Sequence, residues 1–158
     1  MIRNARQYRI THAQIAKLDQ ALAQLTAEGA EHGAVMHPRL RRAEQEALRS
    51  QIEDLRQQLA DYDALRTRKR PVLSLKSFEE FPRALIQARI AVGMSQKDLA
   101  KRLGLKEQQI QRYEATEYAS ASMTRVHAVI RALGLRVHET IMLPISPSIG
   151  VKDEEQHA

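Results

Sequence analysis

The stretch from Met94 to Glu114, MSQKDLAKRLGLKEQQIQRYE, leaves this chain the least freedom. Ser95, with Asp98 three residues on, is a capping-box pattern and opens a short helix from Ser95 to Arg102. A second helix, Gln108 to Ala115, follows after Leu103-Gly104-Leu105. So short a link demands a steep crossing, and Gly104 supplies the left-handed residue for the turn. Leu99 and Leu103 must then pack on Leu105, Ile110 and Tyr113, with small Ala100 where the two backbones come close.

This packing leaves one face of the second helix free, the pattern of a helix-turn-helix. That face carries Glu107, Gln108, Gln111 and Arg112, with Gln109 at its border. A Gln amide offers a donor and an acceptor together to adenine, and Arg can donate twice to guanine. A helix end with Gln, Gln and Arg therefore suits base edges in a major groove. A purely structural surface would more often carry Glu and Lys.

Residues from about Phe81 to Leu135 resemble a Cro/repressor-type DNA-binding domain of the xenobiotic-response-element (XRE) family. The residues that carry the resemblance are Arg89, Gly93, Gln96, Leu99-Ala100, Gly104, Leu105, Ile110 and Tyr113-Glu114. The resemblance implies that Gln96 starts the helix before the turn and binds a phosphate or clamps a recognition Gln. It implies a DNA-facing set of Gln96, Lys97, Lys106, Glu107, Gln108, Gln109, Gln111 and Arg112, with Gln108 and Arg112 at base edges. Lys106 stands where the family commonly has Ser or Thr, so the hydroxyl cap is lost and a phosphate contact is expected instead. Arg89 and Glu114 match the family's structural ion pair. The run SQKDLAKRLGLKEQQIQRYEATEYASAS and the opening MIRNARQYRIT are also similar to a subgroup of small bacterial XRE regulators. These carry a helical extension before the helix-turn-helix, and some are linked to toxin–antitoxin operons.

The rest of the chain reads as helix. Ile15, Leu18, Leu22 and Leu25 make an apolar stripe over roughly Thr11 to Glu28, with Thr11 as N-cap and Gly29 as stop. Pro38 suits the opening of a second helix. Leu48, Ile52, Leu55, Leu59 and Tyr62, spaced 4, 3, 4 and 3, have the a/d signature of a coiled-coil seam for about two heptads. Arg66 to Pro71, with four cations, ends it as a solvated linker or as a basic arm on DNA phosphates. From Glu79, Phe81, Leu85, Ile86, Arg89 and Val92 trace one helix face, closed by Gly93, and Met123, Val126, Val129, Ile130 and Leu133 another, closed by Gly134. Leu135 to Leu143 fits a short strand or extended tail.

Composition narrows the function. The chain has no Cys, which excludes a thiolate zinc site and a cysteine nucleophile. The six His lie on different elements without ligand spacing, and no GxSxG, Walker or GxGxxG pattern occurs. Neither metal, cofactor nor catalysis is expected. The opening residues lack a signal peptide's apolar stretch, and no segment is long enough to span a bilayer. A net charge of +6 suits a polyanionic partner, and residues 36–70 alone carry nine basic and six acidic groups.

The expectation is an all-α protein. A helical hairpin or coiled coil over 1–70 serves for dimerisation or interaction, and 71–78 is a linker. Residues 79–143 form a four- to five-helix domain of the lambda-repressor-like type, ending in a short strand, and 144–158 are a flexible tail. Such a chain would be a cytoplasmic bacterial regulator and not an enzyme. As a homodimer it would read a palindromic double-stranded operator through Lys106–Ala115. The alternative is an antitoxin that autoregulates its operon and holds a toxin with the N-terminal helices.

Overall fold

The computed structural model describes residues 1–31, 37–67 and 72–142. Among these residues the secondary structure is helical throughout. The helices are α1 (Ala5–Glu31), α2 (Pro38–Arg66), α3 (Phe81–Ala91), α4 (Gln96–Leu103), α5 (Glu107–Ala115) and α6 (Met123–Leu133), with one 3-10 turn, Phe78–Glu80, before α3.

Helices α1 and α2 pair as an antiparallel hairpin. The Tyr8 hydroxyl donates to Asp63 at 3.0 Å, and Arg56 meets Asp19 at 3.2 Å, so partners on α2 fall in number as those on α1 rise. Tyr8 and Tyr62 add a ring contact at 5.3 Å. The stripe and the seam meet as their spacings require, but only Ile15 and Ile52 are buried along the shaft, while Leu18, Leu22, Leu25, Leu48, Leu55 and Leu59 remain half-buried.

The foot of the hairpin belongs to a larger core. Ile2, Tyr62 and Leu65 cluster with Leu85, Ile86, Leu99, Ile110, Val129 and Leu133 of the other four helices. Leu73, Leu103, Leu105 and Tyr113 pack against the same cluster. Ala100 is 2% exposed, as a close approach of α4 and α5 demands.

Local chemistry explains most helix ends. Ser95 accepts from the Asp98 amide while the Asp98 carboxylate accepts from the Ser95 amide, a complete capping box. Ser122 caps α6 through the Arg125 amide. Gly104 and Gly134 end α4 and α6 in the left-handed region, with φ of 65° and 67°. Pro38 opens α2, where the His37 Nδ1 accepts from the Arg39 amide.

Three sequence expectations are corrected. Thr11 is not the N-cap of α1. Asn4 is, its Oδ1 accepting from the Gln7 amide at 2.9 Å while Gln7 accepts from the Arg3 amide at 2.8 Å. Gly29 does not stop α1, which runs on through Glu31. Residues 135–142 form no strand, for an extended segment becomes one only against a neighbouring strand, and none lies beside it among the described residues. Leu143, the tail 144–158 and Arg68 to Pro71 of the basic stretch lie outside the described residues.

Candidate nucleic-acid interface

Helix α5 leans its Ile110 and Glu114 side into the core, where both are fully buried. Gln108, Gln111, Arg112 and Ala115, spaced 3, 1 and 3, therefore share the opposite side, and all four are exposed. Glu107 is exposed beside them and accepts from the Gln111 amide at 3.2 Å. Arg112 has no ion-pair partner among the described residues, so its guanidinium is free to donate to a ligand.

Lys106 sits just before α5 and contributes no side-chain cap, since an ammonium has no acceptor. Gln109 supplies the other half of the box, its Oε1 accepting from the Lys106 amide at 3.0 Å. That holds Gln109 at the border and leaves the exposed Lys106 ammonium to solvent. On α4, Lys97 is exposed one residue after the helix start. The Ser95 hydroxyl and amide hold the Asp98 carboxyl below its usual range, so Asp98 is an anion that serves the cap.

The geometry that aims α5 is a buried polar cluster. The Glu114 carboxylate is 0% exposed and accepts from Arg89 Nε and Nη2 at 2.5 and 2.8 Å, and from Gln96 Nε2 at 2.8 Å. Arg89 also donates to the Met94 carbonyl at 2.8 Å and to the Arg3 carbonyl at 2.7 Å. Two buried charges survive out of water only when paired and further hydrogen-bonded, and here Arg89 donates four hydrogen bonds and Glu114 accepts three. Gln96 completes the chain, its Oε1 accepting from Asn4 Nδ2 at 3.1 Å. It opens α4, but its side chain is 6% exposed and turned inward toward Glu114 and Asn4. Of the other seven residues of the expected DNA-facing set, Lys97, Lys106, Glu107, Gln108, Gln111 and Arg112 are exposed and Gln109 is half-buried.

Two participants carry no local sequence signal. Arg3 and Asn4 reach the cluster from the far end of the chain, some ninety positions before α4. Tyr118 folds back under α5 in a turn where Glu117 and Tyr118 both have positive φ, 48° and 59°. Tyr118 stacks on Tyr113 at 6.1 Å, and burial with the nearby Glu114 charge pushes its phenol up, keeping it neutral. Nothing marks this turn in the sequence, because neither residue is a glycine.

Among the described residues no group of three or more His, Asp or Glu is close enough to hold a metal ion. No described helix is long and apolar enough to cross a membrane. No curated protein and no solved structure matches the chain. A family model described as helix-turn-helix matches residues 85–139, which span most of α3, all of α4, α5 and α6, and the residues just beyond. This portion of the chain is a helix-turn-helix domain of the XRE type, a DNA-binding and transcription-regulating family rather than a catalytic one.

Proposed function

We propose that the chain is a sequence-specific regulator that lays α5 in the major groove of a palindromic operator. The observation that carries this reading is the exposed face Gln108, Gln111 and Arg112, backed on its other side by the buried Arg89–Glu114–Gln96 cluster. Arg112 and the glutamines read base edges, while Lys97 and Lys106 hold phosphates. One nine-residue helix covers only a few base pairs, and two modules give the length that specific binding usually needs. We therefore assign a homodimer, working in the cytoplasm where chromosomal DNA is.

The test is a binding titration on a site selected from a random duplex pool. Arg112→Ala should cost about 1–3 kcal/mol and relax preference at one position. Lys97→Ala should weaken all sequences alike and lower the salt slope by about one. Unchanged affinity and preference in Arg112→Ala would overturn the assignment of α5.

A second reading rests on the half-buried leucines of the hairpin shaft. If the hairpin holds a partner protein, such as a toxin, the regulator is an antitoxin that controls its own operon. A wild type that sediments as a monomer, free and on operator DNA, would favour it over the homodimer.

A further inference from the structure

Helix α1 has an outer face that the reading above leaves unused. Tyr8, Ile15, Leu18 and Leu22 turn toward α2. On the opposite side Arg6, Arg9, Lys17 and Gln20 form an exposed stripe, with Ala13 between them. Up to residue 27 the chain holds one carboxylate, Asp19, and Arg56 occupies it. Arg6, Arg9 and Lys17 have no ion-pair partner among the described residues. A solvated helix face more often mixes signs, as α2 does with Glu46, Arg49, Glu53 and Arg56.

The stripe's position is fixed by the same groups that aim α5. The Arg3 carbonyl accepts from Arg89 while Arg89 holds Glu114 of α5. The Asn4 amide donates to Gln96, the first residue of α4, and Lys97 follows it. The Asn4 cap of α1 thus touches the first residue of α4, with Arg6 two residues after the one and Lys97 directly after the other.

We propose that the first four turns of α1 form a second DNA-contacting element. Arg6, Arg9 and Lys17 grip backbone phosphates of the duplex beside the segment that α5 reads. This rests on the DNA-binding reading and extends its interface to a part of the chain outside the matched domain. A line of three cations along about 16 Å of helix suits a row of phosphates. It suits a protein surface poorly, because the stripe offers only Ile10 as a large apolar anchor.

The experiment measures binding of full-length protein to a random-sequence duplex of about thirty base pairs, at roughly 50–200 mM salt. Arg6→Gln with Arg9→Gln removes two cations, and since Arg and Gln have similar helix propensity, circular dichroism should match wild type. The slope of log affinity against log salt should become shallower by about 1.8, while Arg131→Gln on α6 leaves it unchanged. A double-variant slope equal to wild type, with Lys97→Gln still lowering it, would overturn this inference and leave the α4–α5 interface standing. Equal losses in the double variant and in Arg131→Gln would overturn it too, since charge alone, not position, would then matter. A wild type with no salt-dependent binding would overturn the DNA-binding reading itself.

Discussion

Helix α3 buries seven of its eleven residues, whereas α2 buries three of its twenty-nine, two of them at the foot. Both regions use Leu, Ile, Ala and Arg. The four-helix domain meets neighbours on several sides, so Leu85, Ile86, Leu99 and Ile110 lose all but a trace of their surface. The hairpin shaft has one neighbour, and its leucines stay half wet. Ion pairs divide the same way. Arg89 and Glu114 are 3% and 0% exposed, while Arg56 and Asp19 are 55% and 44%. Equal sequence regularity therefore produces a densely packed domain and a thinly held arm.

The sharpest way to break this comparison is through the two ion pairs. Glu114→Ala leaves the Arg89 charge buried without its carboxylate and should cost about 3–5 kcal/mol. Asp19→Ala exposes an already hydrated Arg56 and should stay within about 0–1 kcal/mol. Urea melts of the two variants beside wild type test this, and similar midpoints for both would remove the distinction.

Packing gives the next contrast. Leu99 is 0% exposed at the α4–α5 crossing, so Leu99→Ala should cost about 2–5 kcal/mol, transfer and cavity together. Leu22→Ala on the shaft removes a half-buried side chain and should cost about 1 kcal/mol. Hydrogen exchange locates the damage. The first should raise exchange across α4 and α5, the second along the hairpin alone. Loss of protection throughout the chain with Leu22→Ala would show the arm to be as tightly coupled as the domain.

A smaller effect isolates the corner between α4 and α5. Nothing lies within 4 Å of a Cβ placed on Gly104, so Gly104→Ala meets no clash. Its cost is that of an L-residue at φ 65°, about 1–2 kcal/mol. A thermal midpoint equal to wild type would mean that the turn relaxes into another geometry.

What was legible in the sequence follows the same division. The corner, its caps and its core were readable because each has a local cause: Ser95 with Asp98, Gly104 at the turn, and Leu99, Leu103 and Ile110 at helical spacing. The pairing of Arg89 with Glu114 came from the family resemblance, and the structure shows it buried. The network beyond that pair was not legible, because Asn4 meets Gln96 across 92 positions and Arg3 contributes a carbonyl, which side-chain identity cannot signal. Thr11 reads as the start of α1 because its hydroxyl can take an amide of a first turn just before the stripe from Ile15. The helix instead begins where the neutral pair Asn4 and Gln7 satisfies the first amides. The near-alternation of Leu135, Val137, Ile141 and Leu143 suits a short strand or an extended tail, and alternation by itself does not provide a neighbouring strand.

The smallest contrast is electrostatic and concerns those two helix starts. The α4 box depends on the Asp98 carboxylate, which Ser95 holds below the ordinary aspartate value of 3.8, and the α1 cap depends on Asn4 and Gln7, which do not titrate. A carboxyl whose value is lowered by folding stabilises the fold fully above its unfolded value. That contribution fades as the pH falls through 3.8 toward the lower folded value. Acid should therefore loosen the start of α4 before the start of α1. Asp98→Asn keeps the shape but weakens the acceptor, so the variant should be slightly less stable at neutral pH and should converge on wild type below that window. Amide exchange at Ser95 and Gln7, followed from pH 6 to pH 3, checks the order. Equal acid sensitivity at the two sites would mean that the α4 start is held by its packing and not by its cap.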